Sequence, residues 1–339
     1  MADVVIGGSG FLGRVLVRKL LERGRAVCVF DGRDPAGDQR DRVDFVRGDV
    51  RDPADLGRLP LGPDDVVYHL AARQFGPDVP RRERDAWFAD VNVGGTRAVV
   101  ARMQAAGARR LVFFSTDMTY GIPERSPVPP DAPQRPIGPY GRSKLEAEKI
   151  LRSAPGLQVT VFRPRLIIGP GRLGILAKLF RLVRAGLPVP MIGSGRNCYQ
   201  MVSVEDCAEA AILAVEQGCP PGPFNLGSES PPTSRALLEA VIRHAGTRSV
   251  LIPCPAALLK PVLWAADKAG MPLLFNEQYE IADAHYVLDT SATRSVLGWR
   301  PVHPDVEMFC RAYDAFLGRL PGPETAAPLG LQRERSSVP

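Results

Sequence analysis

The 339 residues, 45% of them hydrophobic and 24% charged, are enough for one large α/β unit or for two intimate lobes of a globular protein. The formal net charge of +6 is modest, and basic residues alternate with acidic ones, which excludes a dedicated nucleic-acid-binding surface. Six cysteines form no C-x-x-C pair and no Cys-His cluster has the spacing of metal ligands, so we predict no metal site.

The hydrophobic stretches are too short or too interrupted to cross a bilayer. The N-terminus leads directly into DVVIGGSG without a secretion signal. Residues 255–275 form the most apolar late stretch, but Lys260, Asp267 and Lys268 interrupt it. We predict a cytoplasmic protein without a transmembrane segment, in which residues 256–269 pack in the core. The alternatives for that segment are a roof over an apolar pocket or a peripheral contact with a membrane surface.

Short apolar runs alternate with amphipathic patterns in the first half of the chain. The runs predict strands over residues 3–7, 26–30, 43–46, 64–69, 110–115 and 158–164. The amphipathic patterns predict helices over residues 11–24, 90–107 and 141–154. This alternation indicates an α/β fold with a doubly wound parallel sheet of the Rossmann type, which binds ligands outside the carboxyl ends of its strands.

A glycine-rich turn follows the first predicted strand. Gly7, Gly10 and Gly13 fit the pattern G-x-x-G-x-x-G, and Gly8 adds an overlapping G-x-G-x-x-G. Side chains at these positions would block a pyrophosphate, and the N-terminus of the next helix offers free N–H groups and a positive dipole. The order of strand, glycines and helix therefore predicts a dinucleotide-binding turn.

The second and third predicted strands each end near a carboxylate. Asp31 lies 18 residues beyond Gly13, where a carboxylate accepts hydrogen bonds from the adenosine ribose and repels a 2′-phosphate. We therefore predict NAD rather than NADP, although Arg33 nearby weakens this discrimination. Asp49 follows the third strand and is placed to reach the adenine, but a turn-forming role fits it equally well.

A hydroxyl pair and a Tyr-x-x-x-Lys pair follow in the order that a hydride-transfer site requires. Ser115 and Thr116 lie at the end of the fifth strand, where a hydroxyl can hydrogen-bond a substrate oxygen. Tyr140 and Lys144 share one face of the next helix, in a chain with six Lys against 37 Arg. A phenol must lose about three pKa units, worth about 4 kcal/mol, to act as a base near neutral pH, and a neighbouring ammonium favours that change.

From about residue 165 onward, Pro- and Gly-rich connections separate shorter elements. Helices are predicted over residues 173–186, 204–217, 233–246, 256–269 and 304–318, with strands near 189–192 and 223–226. We predict a cofactor-binding domain over residues 1–168, with its sheet completed by parts of residues 189–228. A smaller, mostly helical substrate lobe follows over residues 169–320, and then a flexible tail over residues 321–339.

Seven motifs in this order resemble a known family. They are GGSGFLG, HLAA, NVGGT, STDMTYG, YGRSK, FRPRLIIGPG and LGWRP. Over about residues 3–318 the chain is similar to extended short-chain dehydrogenases/reductases of the NAD-dependent epimerase/dehydratase superfamily. The resemblance implies an NAD-dependent enzyme that acts on a small molecule and forms a homodimer through the helices at 92–106 and 141–153.

The resemblance also assigns individual residues. It makes Tyr140 the acid/base, gives Lys144 the nicotinamide ribose, and places Thr116, with Ser115 beside it, in the catalytic Ser/Thr position. Asn92 would support the cofactor site. The residues expected to hold the cofactor are Gly7, Gly10, Phe11, Leu12, Gly13, Asp31, Asp49, Val50, Leu70, Ala71, Ala72, Asn92 and Lys144.

The substrate is less clearly indicated. STDMTYG keeps Asp117 but has Met118 where sugar-nucleotide dehydratases carry a glutamate, and Met118 cannot transfer a proton. A phosphate-binding arginine is expected seven residues before Asp206, where this chain has Tyr199. Arg196 or Arg172 would have to compensate. The second half is more similar to the 3β-hydroxysteroid dehydrogenase branch of the superfamily.

Three functions remain open on the sequence alone. The first is an NAD-dependent oxidoreductase that interconverts a secondary alcohol and a ketone on an apolar or polycyclic hydroxy compound. The second is a sugar-nucleotide epimerase or dehydratase, which shares the NAD-dependent oxidation step. The third is a dinucleotide-binding sensor without catalysis. Net accumulation of NADH distinguishes the first from the second.

Overall fold

Parallel strands build the central sheet of the computed structural model, which describes residues 1–76, 78–171, 174 and 176–320. The strands are β1 (Asp3–Ile6), β2 (Val27–Asp31), β3 (Asp44–Arg47), β4 (Val66–His69), β5 (Arg110–Phe114), β6 (Gln158–Pro164), β7 (Leu166–Ile168), β8 (Val189–Ile192), β9 (Met201–Ser203), β10 (Phe224–Leu226) and β11 (Leu251–Cys254). The helices are α1 (Phe11–Glu22), α2 (Pro53–Gly57), α3 (Arg84–Ala89), α4 (Thr96–Ala106), α5 (Pro139–Ser153), α6 (Leu176–Arg184), α7 (Val204–Glu216), α8 (Ser234–Ala245), α9 (Ala256–Lys268), α10 (Asn276–Tyr279), α11 (Ser291–Leu297) and α12 (Asp305–Phe316).

The main sheet has the strand order β3–β2–β1–β4–β5–β6–β10, and all of its pairings are parallel. Strands β1 and β4 are buried along their whole length, which explains why the sequence shows continuous apolar runs rather than alternation. The predicted strands of the first half are present, with ends that agree within two residues. The Rossmann-type doubly wound fold is confirmed.

Helices cover both faces of this sheet. Val5 packs in one core cluster with residues of α1 and α7, such as Leu16 and Ala211. Its neighbour Val4 packs in another cluster with residues of α4 and α5, such as Met103 and Ala147. Because successive side chains of a strand point to opposite faces, the two clusters lie on opposite sides of the sheet. The carboxyl ends of the strands remain available for a site.

The second half of the chain builds its own smaller core. Phe180 of α6, Val241 of α8, and Phe309 and Tyr313 of α12 pack together. The short parallel pairs β7–β9 and β8–β11 belong to this half. Strand β10 instead joins β6 in the main sheet, in the stretch that was predicted to complete it. The three-residue strands β7 and β9 were not predicted because such short runs carry no usable periodicity.

Helix α9 is not buried as predicted. Leu263 is its buried residue, whereas Leu258, Val262 and Trp264 are more than half exposed. The prediction of core packing for residues 256–269 is therefore wrong. Apolar residues occur on several faces of α9, but a single face packs against the rest of the protein. Within the described residues, no helix is long and apolar enough to cross a membrane. The tail predicted over residues 321–339 lies outside the described residues.

Candidate active site

The glycine-rich turn between β1 and α1 forms a cradle free of side chains. Gly7 has a φ of +89°, and a Cβ atom on it would lie 2.6 Å from the Ala71 amide nitrogen. A Cβ atom on Gly13 would lie 2.7 Å from Gly8 Cα and would overlap the Gly7 carbonyl oxygen. Helix α1 has no side-chain cap at Gly10. The turn and the open helix N-terminus therefore suit the pyrophosphate of a dinucleotide.

A cavity of about 670 Å³ extends from this turn over the ends of β2 and β3. Asp31 lies on its wall, where its carboxylate accepts hydrogen bonds of 3.0 Å from the backbone amides of Ser9 and Arg33. The carboxylate thus braces the glycine-rich turn and also faces the space for an adenosine ribose. Arg33 is largely exposed and lies on the same wall.

Asp49 and Val50 also line this cavity, at the end of β3. The Asp49 carboxylate is held by Arg51, whose Nη2 donates to Oδ2 at 2.6 Å. The hydrogen bonds from the Arg51 side chain keep the pKa of Asp49 below its usual value. Asp49 therefore lies where the sequence predicted, but its carboxylate is engaged by an arginine two residues away.

The segment after β4 separates the two halves of the predicted cofactor site. Leu70, Ala71 and Ala72 line the cavity over the ends of β2 and β3. Leu70 and Ala72 also line a second cavity, which lies over the ends of β5 and β6. The backbone amides of Leu70 and Ala71 both donate to the Ile6 carbonyl oxygen, at 2.8 and 3.0 Å. This fixes the segment against β1, directly beside Gly7.

Asn92 is not on either cavity wall. It lies in a π-helical stretch, Asp90–Gly95, that interrupts the single helix predicted over residues 90–107. Its Oδ1 accepts from the Arg73 amide at 2.8 Å, and its Nδ2 donates to Ser143 Oγ at 2.9 Å. Asn92 therefore links the segment after β4 to the residue before Lys144. It supports the predicted site indirectly, by holding two of its walls together.

The second cavity, of about 310 Å³, joins the glycine-rich turn to the ends of β5 and β6. Its wall brings together most of the predicted residues from four separate stretches of the chain. They are Gly7, Gly10, Phe11, Leu12, Gly13, Leu70, Ala72, Ser115, Thr116, Tyr140 and Lys144. This placement is what a reaction at one end of a bound dinucleotide requires.

Lys144 is a buried cation on this wall. Its Nζ lies 4.1 Å from the centroid of the Phe113 ring. Burial lowers the pKa of Lys144 to about 7, and the negative charge of Glu148 opposes that shift. Lys144 lies one helical turn after Tyr140 on α5, as the sequence spacing predicted.

Ser115 and Thr116 differ in their hydrogen bonding. Ser115 Oγ donates a short hydrogen bond to the buried carboxylate of Glu148, which Arg163 also holds at 2.6 Å. Thr116 Oγ1 makes longer contacts, of 3.3 Å with the Met118 amide and 3.2 Å with an Asp117 oxygen. Thr116 is therefore the freer of the two hydroxyls for a substrate, whereas Ser115 serves the buried ion pair.

The same wall carries an ion pair that the sequence did not reveal. Arg165, at the end of β6, donates from Nη1 to Asp117 Oδ2 at 2.6 Å, and its guanidinium carbon lies 4.4 Å from the Tyr286 ring centroid. Arg165 is 5% exposed, and its Nε has no hydrogen-bond partner among the described residues. Asp117 is thus an ion-pair partner rather than a local capping group.

Sequence reasoning did not single out Arg165, although it lies in the motif FRPRLIIGPG, because the motif does not show which of its two arginines faces the site. The place of Arg165 directly after a central strand was the available signal, since ligands bind at that edge. Of the cations that were predicted, Arg196 is exposed and Arg172 lies outside the described residues. Tyr199 does line the cavity, together with Gln278 and Ile281 from the second half. No cluster of metal-ligand type occurs among the described residues.

Comparison with known proteins points in the same direction as this geometry. The model of the NAD-dependent epimerase/dehydratase family matches residues 4–227. An uncharacterised protein of Sinorhizobium fredii, y4nG, is 33% identical and covers 97% of this chain and 83% of its own length. The UDP-glucose 4-epimerase of Streptomyces lividans is 31% identical, covering 92% of this chain and 94% of its own.

Solved structures of such epimerases share the fold. The Thermotoga maritima UDP-glucose 4-epimerase with UDP-glucose has a TM-score of 0.74 at 26% identity, covering 94% of this chain and 99% of its own. The Thermus thermophilus UDP-glucose 4-epimerase in complex with NAD has a TM-score of 0.73 at 28% identity, covering 94% and 100%. With the glycine cradle described above, this identifies NAD as the cofactor.

Proposed function

Because the chain belongs to the NAD-dependent epimerase/dehydratase family, we propose that it is a sugar-nucleotide epimerase. It is an NAD-dependent enzyme of the extended short-chain dehydrogenase/reductase type. In the proposed reaction a secondary alcohol of the sugar is oxidised, and the resulting ketone is reduced from the other face. Bound NAD would supply the hydride acceptor for the oxidation and the hydride donor for the reduction, so no net NADH would form.

The observation that carries this proposal is the Asp117–Arg165 pair on the cavity wall. An apolar polycyclic substrate would cover Arg165, with its unpartnered Nε, without offering it a hydrogen bond, which is costly for a buried charged group. A sugar nucleotide has hydroxyl and phosphate oxygens that accept from a guanidinium. The relatives named above also favour this alternative over the apolar hydroxy compound that the sequence predicted.

Epimerisation is favoured over dehydration by the residue beside Asp117. Water elimination requires a group that can transfer a proton next to the oxidised sugar, and Met118 on the cavity wall has none. In our proposal Tyr140 accepts the hydroxyl proton and later returns it. Thr116 orients the substrate oxygen, and Lys144 supplies a positive charge beside the phenol when it is protonated. Arg165 binds an oxygen of the substrate.

Incubation of the purified protein with UDP-glucose or UDP-galactose tests the proposal directly. We expect each to be converted into its epimer, measured by chromatography, with no lasting rise in NADH absorbance. The Tyr140→Phe variant should lose about 10²- to 10⁴-fold in kcat because it lacks the proton-transfer group. Tyr313→Phe is the matched control, because Tyr313 is buried in the core of the second half, against Phe180.

The outcomes separate the three functions. Stoichiometric NADH with a ketone product would instead indicate the net oxidoreductase. NAD binding without turnover over a broad panel of sugar nucleotides would indicate the sensor. Activity of Tyr140→Phe close to that of the wild type would contradict the proposed mechanism under any substrate.

We also propose a homodimer and a cytoplasmic location. The dimer would form through the outer faces of α4 and α5, where Arg97, Ala101, Arg142 and Lys149 are exposed. Substitution of Ala101 by Glu should shift the protein to the monomer in size-exclusion chromatography coupled to light scattering. An unchanged molar mass would contradict this interface. Cell fractionation tests the location.

A further inference from the structure

The helix that carries Tyr140 is capped by a carboxylate from the other half of the chain. The first-turn amides of Tyr140 and Gly141 donate to the two oxygens of Glu277, at 2.9 and 2.8 Å. Glu277 belongs to α10 and is 2% exposed. The N-cap position of α5 is Gly138, which has no side chain to make this bond locally. The cap therefore comes from 136 residues away along the chain.

The backbone around the cap leaves room for this carboxylate. A Cβ atom on Gly138 would lie 2.5 Å from Glu277 Cδ, and one on Gly141 would lie 3.2 Å from Oε2. The absence of side chains at these two positions lets the carboxylate reach both amides at once. Two carboxylate hydrogen bonds on the first turn also place a negative charge at the positive end of the helix dipole.

The same short segment forms part of the cavity wall. Gln278 and Ile281, next to Glu277 in the chain, line the cavity that holds Tyr140. Phe275 stacks on Phe75 with ring centroids 5.0 Å apart, and Phe75 contacts the Tyr140 ring at 5.1 Å. Residues 275–281 therefore contact the substrate space and the start of α5 together.

We infer that Glu277 is a positioning residue for Tyr140, and that it ties the substrate-facing segment 275–281 to the first turn of α5. The inference rests on the proposed function, in which Tyr140 transfers the proton. Because Glu277 acts through the backbone of α5, its loss should lower kcat without weakening the binding of NAD or substrate. A misplacement of about 1 Å is enough to cost up to about 10²-fold in rate.

The protonation of Glu277 provides a second signature. Burial raises the pKa of Glu277 to about 7, while the two backbone hydrogen bonds and Arg142 oppose this and Asp85 adds to it. Because this pKa is higher in the folded protein than in the unfolded chain, ionisation of Glu277 lowers the free energy of unfolding. The loss develops as the pH rises from the ordinary pKa of a glutamate through about 7. A neutral carboxyl keeps one good acceptor oxygen for the cap and avoids the cost of a buried charge, so the cap is retained below that pH.

The kinetic test compares Glu277→Ala with a neighbouring control. We expect kcat of Glu277→Ala to fall about 10- to 100-fold, with KM for the sugar nucleotide and Kd for NAD within about twofold of the wild type. Glu280→Ala is the matched control, because its carboxylate pairs with Lys260 and touches neither amide. The double variant Gly138→Ser/Glu277→Ala supplies a local N-cap in the freed space and should recover most of kcat.

Amide hydrogen exchange of the peptide that contains Tyr140 and Gly141 tests the cap without any substrate. Exchange should be at least about tenfold faster in Glu277→Ala, slow again in the double variant, and unchanged in Glu280→Ala. In the wild type, protection should fall as the pH rises from about 6 to about 8 after correction for intrinsic rates, because ionisation of the buried carboxyl favours opening, whereas Glu277→Gln should lack this change.

These readouts keep the inference separate from the proposed function. Absence of turnover in the wild type would contradict the proposed function. The exchange data would still show whether Glu277 protects the first-turn amides of α5. Equal exchange in the wild type and Glu277→Ala would overturn the inference. So would restored protection in the double variant without recovery of kcat, or a loss of kcat that follows a loss of NAD binding. If Glu277→Ala does not fold, Glu277→Gln, which keeps one acceptor, takes its place with a smaller expected effect.

Discussion

Two adjacent hydroxyls at the end of β5 have different surroundings. Both line the cavity, but Ser115 donates to the Glu148 carboxylate in a buried network with Arg163, whereas Thr116 makes longer contacts. A hydroxyl that already satisfies a buried charge is a poor donor to a substrate, because using it would leave the charge with one partner fewer. The hydrogen bonding therefore favours Thr116 over Ser115 for the proposed substrate contact.

Removal of each side-chain hydroxyl should separate these roles. We expect Thr116→Ala to lose about 10²-fold in kcat, since one donor to the reacting oxygen is removed, with little change in stability. Ser115→Ala should instead lower the free energy of unfolding by about 1–3 kcal/mol, because Glu148 loses a donor. Steady-state kinetics and urea unfolding measure the two effects. The reverse result, a catalytic defect in Ser115→Ala alone, would contradict the assignment.

At the residue scale, the sequence predicted where the site residues lie better than it predicted which side chains they bond to. Tyr140, Lys144, Thr116 and the glycines lie together on one cavity wall, because motif spacing fixes which strand end or helix face carries each residue. The engagement of Asp49 by Arg51, by contrast, depends on side-chain conformations that spacing does not determine. Arg165 was missed for the same reason.

At the scale of elements, the turn from β1 into α1 is the most tightly constrained part of the site. Gly13 lies in the first turn of α1, and a Cβ atom there would overlap backbone atoms of Gly7 and Gly8. The Gly13→Ala variant should weaken NAD binding by about 10- to 100-fold, because overpacking costs about 1–3 kcal/mol. Isothermal titration calorimetry with NAD measures this change.

The matched control for this turn is Gly37→Ala. Gly37 is exposed, and no atom lies within 4 Å of the Cβ that an alanine would add. NAD affinity of the control should stay within about twofold of the wild type. Equal affinities in Gly13→Ala and the wild type would mean that the turn tolerates a side chain. NAD binding would then not require glycine at position 13.

Elements with a clear apolar pattern were predicted well, and elements without one were not. Buried strands such as β1 and β6, and helices such as α7 and α12, show such a pattern in the sequence. Helix α10 has four residues and no such pattern, yet it carries the cap of α5. Local hydrogen bonds between Phe275 and Gln278 shape α10, and tertiary contacts such as those of Glu277 hold it in place. The sequence could therefore predict the frame of the site, while the contribution of the second half had to come from the structure.

At the scale of the whole molecule, the two halves are connected through residues near 286–289. Asn225 of β10 donates from Nδ2 to the carbonyl oxygens of Val128 and Asp289, at 2.9 and 3.1 Å. Tyr286 donates to the Asp117 carbonyl oxygen at 2.8 Å. Leu288 belongs to a buried cluster with residues of the first half. The hydrogen bonds from Asn225 to Val128 and from Tyr286 to Asp117 join the two halves of the chain, because the donor lies in one half and the acceptor in the other.

We therefore expect the protein to unfold as one cooperative unit. Separation of the halves would break the hydrogen bonds of Asn225 and Tyr286 and expose the apolar cluster around Leu288, at a cost that no partly folded state recovers. Urea unfolding followed by far-UV circular dichroism and by tryptophan fluorescence should give coincident midpoints. Buried Trp299 packs in the core cluster beside the main sheet, whereas Trp264 is exposed on α9, so the two indoles report on different parts of the fold. NAD at about 100 times its Kd should stabilise both signals equally, by about 2.7 kcal/mol. Two transitions, with NAD moving one of them, would show instead that the substrate half folds independently of the cofactor-binding half.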